Sequence, residues 1–250
     1  MPYALYISAE AAQAQTERVE MIANNLANAD TAGFKRELAI FQARYAEAIE
    51  QGAATPGSGS IDDLGGGVHF QQTKTDFSPG PLKRTSSPTD VAIEGDGFFQ
   101  VRKGQESLLT RAGNFRLTSR GELVTQQGYP VLSDSGSPIL VNPAEGPWEI
   151  TPAGAVRQGD TTQNLALVTP SSFGDLTKTG ENLYRPLAPV QPLPAAQRAV
   201  SSGYLEMSGV RPTLEMTALI EASRLAEANI NLMKAHDQML GGLVERLLKA

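Results

Sequence analysis

Histidine commonly serves as a metal ligand or an acid–base catalyst, and this sequence has two, His69 and His236. His69 follows a glycine-rich stretch, whereas His236 lies in a long apolar-periodic segment, and no ligand spacing relates them. The chain has no cysteine, which removes zinc–thiolate sites. We therefore interpret both histidines as ordinary surface or helix-packing residues and expect no metal site.

Glycine-rich and acidic motifs also lack the spacing that their chemistry requires. The run 57–60 (GSGS) contains serines, but it lies in a linker and not in the strand–turn–helix of a nucleophile elbow. Gly95 and Gly97 are not followed by the third glycine of a dinucleotide loop, so they fit a turn between strands. The acidic stretch 90–96 does not have the spacing of a calcium loop. We predict no catalytic residue, no cofactor and no enzymatic activity.

The overall composition argues against further classes of partner. The net charge is −6, and no cluster of Lys and Arg offers the phosphate contacts of a nucleic-acid binder. No stretch approaches the roughly 18 apolar residues of a membrane span. The N-terminus lacks the basic and apolar regions of a cleavable signal peptide. If the chain leaves the cytoplasm, we expect a different export route.

The composition changes along the chain and indicates which elements hold these motifs. Up to about residue 50 the sequence is rich in Ala, Glu and Gln, which predicts a helix. Residues 51–67 are rich in Gly, Pro and Ser, which is typical of a linker. Short apolar alternations then predict antiparallel strands, with a hairpin around Ser119–Gly121. A second long helix is predicted after Pro212.

These elements predict an α+β fold with long terminal helices enclosing a β-rich, antiparallel central domain. We expect an N-terminal helix over residues 1–36 and a C-terminal helix over residues 206–250, which together form one coiled-coil assembly domain. Residues 37–67 are expected to hold a helix end and the flexible linker, and residues 68–205 the β-rich domain.

Both terminal segments carry apolar residues every seven positions, which is the pattern of supercoiled helices. The seam residues are Leu5, Ala12, Val19 and Leu26 in the first helix, and Leu219, Ala226, Met233, Leu240 and Leu247 in the second. The second seam is widened on its flanks by Leu225, Leu232, Met239, Ile230 and Val244. This width indicates that the second helix contacts more than one neighbour. The periodicity leaves open whether the partners are in the same chain or in others.

The segment 23–35 (ANNLANADTAGFK) closes the first helix with residues that are poor helix formers. It resembles the N-terminal signature of flagellar rod, hook and hook-associated proteins. The residues that carry this assembly motif are Ala23, Asn24, Asn25, Leu26, Ala27, Asn28, Thr31, Gly33 and Phe34. Segments 93–99, 110–115, 121–132 and 205–210 also resemble the family, although Gly209 stands where Asn is usual.

The resemblance implies a structural axial subunit of the bacterial flagellar basal body, closest to the FlgF-type proximal-rod proteins. It implies export, without a cleaved signal peptide, through the flagellar type III apparatus and assembly in the periplasmic rod. The terminal helices would form the inner layer of a hollow tube and the β domain an outer layer, which together transmit torque from motor to hook. The implied partners are other rod subunits, further copies of this chain and the export apparatus.

Three alternatives stay open at this point. The chain could be a distal-rod or hook-type protein of the same family, a secreted β-rich adhesin or binding module, or a hydrolase whose carboxylates the sequence does not single out. An intramolecular helical hairpin could also occupy the seams. For the rod subunit, we expect chain ends that are flexible in the free protein and helical on assembly. We also expect that deleting residues 1–35 or 213–250 leaves a folded β core that no longer assembles.

Overall fold

The computed structural model describes residues 2–45, 49, 51–52, 55, 57, 65–142 and 144–248. The chain divides into two compact units. The helical unit comprises Met1–Ala27, Glu37–Asp76 and Arg211–Ala250, and the β unit comprises Asn28–Arg36 and Phe77–Val210. The α+β class is confirmed, with a helix near each end of the chain and antiparallel strands between them.

Among the described residues, the helical unit contains two helices and one hairpin. Helix α1 spans Pro2–Ala27 and packs against helix α2, which spans Pro212–Leu248. Strands β1 (Glu37–Arg44) and β2 (Gly67–Thr75) pair antiparallel with a bulge after Ile40, and both contact α1. Because Pro lacks an N–H that the first helical turn would leave unpaired anyway, Pro212 starts α2 without cost.

Two expected helix bounds are wrong. The first helix does not continue to residue 36 or 50, because Gly33 has a φ of +67° and Glu37–Arg44 is strand β1. The second helix does not begin at residue 206, because Glu206 ends a strand and Pro212 is the first helical residue. Of the expected flexible linker over 51–67, most positions lie outside the described residues.

The β unit is built from fifteen short strands among the described residues. They are β3 (Leu82–Arg84), β4 (Val91–Ile93), β5 (Phe98–Lys103), β6 (Glu106–Thr110), β7 (Arg116–Leu117), β8 (Leu123–Val124), β9 (Trp148–Ile150), β10 (Ala155–Gln158), β11 (Thr161–Asn164), β12 (Leu167–Thr169), β13 (Leu176–Gly180), β14 (Leu183–Pro186), β15 (Gln191–Pro192), β16 (Val200–Ser202) and β17 (Tyr204–Glu206). The largest sheet has the order β13-β14-β6-β5-β12-β15, and its pairs are antiparallel. The hairpin predicted around residues 119–121 is confirmed as the pair β7–β8.

Large apolar side chains fill the centre of the β unit. Phe99, Leu109 and Leu165 are completely buried, and the rings of Phe99 and Phe115 lie edge to face with centroids 5.1 Å apart. A second aromatic group joins Phe98 and Tyr184. Buried side chains from several strands, among them β4, β5 and β12, produce this core.

Candidate assembly site

The predicted seam residues of the helical unit lie mainly between α1 and α2 of the same chain. Ala12 is buried, and the other seam residues are half-buried except Leu247, which is 77% exposed. The half-buried seam residues are Leu5, Val19, Leu26, Leu219, Ala226, Met233 and Leu240. Helices α1 and α2 therefore pack on each other within one chain, and the predicted seam positions other than Leu247 are buried or half-buried.

The same face of α2 includes residues that the apolar ladder does not contain. Ala222 is fully buried, and Asn229 and His236 are half-buried, each three positions after a seam residue. Together with the seam they give the alternating three- and four-residue spacing of a coiled-coil helix. Apolarity alone missed them because two are polar and one is small. The spacing rule would have found them.

A second stripe runs along α2 and faces away from the seam. Leu225, Ala228, Leu232, Ala235 and Met239 also alternate by three and four residues, and all five are exposed. Leu232 is 52% exposed and Met239 is 57% exposed. We call these five residues the second stripe. A stripe with coiled-coil spacing and no cover among the described residues is the geometry of a helix that still lacks one partner.

Helix α2 also extends beyond the length that α1 can cover. It has 37 residues against 26 in α1, a difference of 11 residues, or about 16 Å at 1.5 Å per residue. The last described turns, residues 241–248, are exposed at every position. They include four large apolar side chains, Leu243, Val244, Leu247 and Leu248. The end of α2 therefore adds apolar surface to the second stripe.

The 23–35 motif divides between internal and exposed positions. Asn25 is completely buried, and its side-chain amide donates to the Glu37 carbonyl at 2.8 Å while its oxygen accepts the Glu37 N–H at 2.9 Å. Asn25 thus fixes the start of β1 against the end of α1. Ala23, Asn24 and Ala27 are exposed, and Leu26 is half-buried.

The second half of the motif, from Asn28 onward, belongs to the β unit and forms a turn there. The Thr31 hydroxyl donates to the Asn28 side-chain oxygen at 3.2 Å, and the Thr31 carbonyl accepts the Phe34 N–H. A Cβ at Gly33 would lie 2.5 Å from the backbone nitrogen of Ala112, so only glycine fits. Phe34 is buried, and the Lys178 ammonium lies 4.1 Å from the centre of its ring. Gly33 and Phe34 therefore have roles inside the β unit, which the sequence did not indicate.

The structure places the other described motifs in separate elements. His69 lies in β2 and His236 in α2, and Gly95 and Gly97 lie in the connection between β4 and β5. The serines of the run 57–60 lie outside the described residues. No group of three or more His, Asp or Glu side chains in the described parts of the chain could hold a metal ion. No helix in those parts is long and apolar enough to cross a membrane.

Comparison with protein families covers both units. A model described as flagella basal body rod protein matches residues 5–35, and one described as flagellar hook protein FlgE/F/G D1 domain matches residues 92–158. The C-terminal model of flagellar basal body rod FlgEFG proteins matches residues 201–245. The matched ranges include most of α1, the central strands of the β unit and most of α2.

Curated relatives match along nearly the whole chain. The flagellar basal-body rod protein FlgF of Caulobacter vibrioides is 34% identical over 250 residues, covering 100% of this chain and 99% of the relative. The rod protein FlgG of Bacillus subtilis is 33% identical, covering 91% of this chain and 92% of the relative. The FlgF protein of Mesorhizobium japonicum is 31% identical, with coverage of 94% and 93%.

Proposed function

Because this chain belongs to the FlgF/FlgG family of flagellar basal-body rod proteins and is a structural component of the rod, we propose that it polymerises through the second stripe of α2. The observation that carries this proposal is a helix with two coiled-coil faces. One face packs on α1, and the other exposes Leu225, Leu232 and Met239. A helix from a neighbouring rod subunit would bury that second face and the apolar end of α2.

The contact is heterologous, because the exposed face of α2 differs from the exposed face of α1. The exposed positions of α1 include Gln13, Thr16, Glu20 and Ala23, which are small or polar. Apolar surface on one subunit that meets a different surface on the next adds subunits in one direction, which is how an open helical assembly grows. Such an assembly suits an axial structure that transmits torque.

We also propose three more specific features of the function. We place the chain with FlgF-type proximal-rod subunits, which is supported by a FlgF relative that matches along essentially the whole of both chains. Its partners would be other rod subunits, further copies of itself and, during delivery, the flagellar type III export apparatus. Export would occur without a cleaved signal peptide, and the assembled protein would lie in the periplasmic rod. We assign it no catalytic role, in keeping with relatives named as rod proteins.

One charge on the second stripe tests this proposal. Leu232→Glu places a carboxylate on the exposed stripe, where it would have to be buried on assembly, so we expect rods to lose the protein and cells to lose motility. Gln238→Glu, at an exposed position of the same helix, adds the same charge outside the stripe and serves as the control. Both variants should keep the wild-type helical circular dichroism as free chains. Normal rod incorporation of Leu232→Glu would contradict the proposal.

A further inference from the structure

Three charged side chains lie together in the interior of the β unit and are not part of the proposed assembly surface. Lys35 is 1% exposed, Glu206 2% and Arg111 4%. The Lys35 ammonium donates to Glu206 Oε1 at 2.7 Å, and Arg111 Nε donates to Glu206 Oε2 at 2.8 Å. Burying charges is costly unless they are paired and hydrogen-bonded, and here each oxygen of the carboxylate has a cationic donor.

The remaining hydrogen bonds of the cluster reach a third part of the chain. Lys35 Nζ donates to the carbonyl oxygens of Phe77 at 3.1 Å and Ser78 at 2.8 Å. The Gly80 N–H donates to Glu206 Oε1 at 2.9 Å. A single carboxylate and a single ammonium therefore join segment 33–36, segment 77–80 and the end of β17.

Main-chain hydrogen bonds join two of these segments directly. The Gly33 N–H donates to the Glu206 carbonyl at 2.7 Å, and the Gly209 N–H donates to the Phe34 carbonyl at 3.0 Å. These bonds place the polypeptide that enters the β unit beside the polypeptide that leaves it. The side chains of the ion cluster connect the same two segments in the interior of the β unit.

The three segments have one property in common, which is their position along the chain. The polypeptide passes between the helical and β units four times, at 27–28, 36–37, 76–77 and 210–211. Segment 33–36 precedes the second passage, segment 77–80 follows the third, and segment 206–209 precedes the fourth. The first passage enters the turn that holds Gly33. Each passage therefore leads within a few residues to the cluster.

We propose that the Glu206 carboxylate is a latch that fastens the four chain passages to the β unit. A pull that travels along the chain from the helices enters the β unit at these passages. The cluster resists that pull before the strands of the β unit are loaded. Arg111 anchors the carboxylate to the β unit, because its guanidinium also donates to the carbonyl oxygens of Gly95 at 2.8 Å and of Ile93 at 3.4 Å. Lys35 extends the latch to the incoming segment. The mechanical consequence in a rod rests on the proposed function, whereas the fastening itself does not.

Hydrogen exchange on the full chain tests the fastening. Lys35→Met removes one cation and leaves the Arg111–Glu206 pair, so we expect amides 31–36 and 77–80 to exchange roughly a hundredfold faster, as expected when a buried ion pair is broken. Amides of β5 and β6 should keep their protection. Glu106→Gln breaks the exposed pair with Arg185 and is the control, with no expected change in any of these segments. Unchanged exchange in 31–36 and 77–80 overturns the latch, and so does an equal rise in β5 and β6.

A second variant keeps the test decisive if Lys35→Met does not fold. Lys35→Arg retains the charge and the donors, so it should fold and restore most of the protection of segment 77–80. If segment 77–80 of Lys35→Arg exchanges roughly a hundredfold faster than in the wild-type chain although the charge is retained, the latch is overturned.

Swimming under load then tests the consequence for the rod. The Lys35→Met protein should be found in isolated rods at the wild-type amount, and cells should lose speed in viscous medium more than in dilute medium. Equal relative speeds in both media overturn the mechanical role. Absence of the wild-type chain from isolated rods would instead overturn the proposed function and would leave the exchange result unaffected.

Discussion

The two units bury very different side chains. In the β unit the completely buried residues include Phe99, Leu109 and Tyr184, which are large. In the helical unit the buried positions of α1 and α2 include three alanines, Ala12, Ala14 and Ala222. Most large apolar side chains of α2 are exposed, among them Leu225, Leu232 and Met239. The β unit thus completes its core within one chain, whereas the helical unit leaves large apolar side chains of α2 exposed.

This contrast separates stability from assembly. A residue that is packed on all sides contributes to folding in the free chain, because its burial is already complete. A residue that is exposed until a neighbour arrives contributes nothing to folding and contributes to polymerisation. Mutations in the two units should therefore change different measurements.

The largest expected difference is between one core residue and one stripe residue. Phe99→Ala should destabilise the free chain by about 3–5 kcal/mol, because it removes a buried ring and leaves a cavity. Leu232→Ala should change the free energy of unfolding by less than about 0.5 kcal/mol, because Leu232 is exposed. Urea unfolding measures both values. A loss of several kcal/mol in Leu232→Ala would show that the second stripe is covered in the free chain, and the contrast between the units would fail.

A smaller difference is expected between two glycines. Gly33→Ala in the β unit should cost about 2–4 kcal/mol, because a φ of +67° and a close backbone contact both oppose a Cβ. Gly241→Ala in α2 should stabilise the helix by about 0.5–1 kcal/mol, since a Cβ there would meet nothing within 4 Å. Thermal unfolding followed by circular dichroism measures both. A destabilised Gly241→Ala chain would indicate that α2 does not continue through residue 241.

The sequence predicted those parts of the molecule that depend on local periodicity. The heptad positions other than Leu247 fall on buried or half-buried sites of α1 and α2. Alternation located the β domain and the β7–β8 hairpin, because such a pattern records which side of an element is buried. The apolar pattern did not identify Asn229 and His236 as residues of the seam face of α2. Their place on that face follows from the three- and four-residue spacing and not from their residue type. Composition predicted a helix over Glu37–Arg44, where the structure has strand β1. This strand depends on pairing with β2 and on the Asn25 side chain, which are both distant in sequence.

The buried ion cluster could not have been predicted from the sequence. Lys35, Arg111 and Glu206 lie in different segments, and charged residues are normally exposed, so no sequence pattern indicates that the three meet in the interior. The contact among these three side chains also changes which truncated chain we expect to fold. Residues 28–36 belong to the β unit, so a deletion of residues 1–35 removes Phe34 and Lys35 from its interior. A trimmed β core should therefore begin at residue 28. The expected flexibility of the free chain ends stays a prediction.

The smallest expected effect is the pH dependence of an exposed ion pair on the β unit, which is the counterpart of the buried cluster. Glu181 accepts hydrogen bonds from Lys103 at 2.7 Å and from the Tyr129 hydroxyl at 2.9 Å, and these bonds hold the pKa of Glu181 below its ordinary value. The bond to Glu181 is also the main cause that raises the pKa of Lys103.

The sign follows from comparing the folded and unfolded chains. A lowered pKa for Glu181 contributes stability above the ordinary glutamate pKa of about 4.3, and this contribution is lost as the pH falls through the lower folded value. A raised pKa for Lys103 contributes below the ordinary lysine pKa of about 10.4 and is lost as the pH rises through the higher folded value. The stability difference between the wild-type chain and Glu181→Gln, measured by urea unfolding, should therefore be small at pH 7. It should shrink further in acid and in about 1 M salt, because salt screens exposed charges. Glu227→Gln, on the exposed face of α2, is the control and should show no such acid dependence. A difference that grows as the pH falls would mean that Glu181 stabilises the β unit through its protonated form.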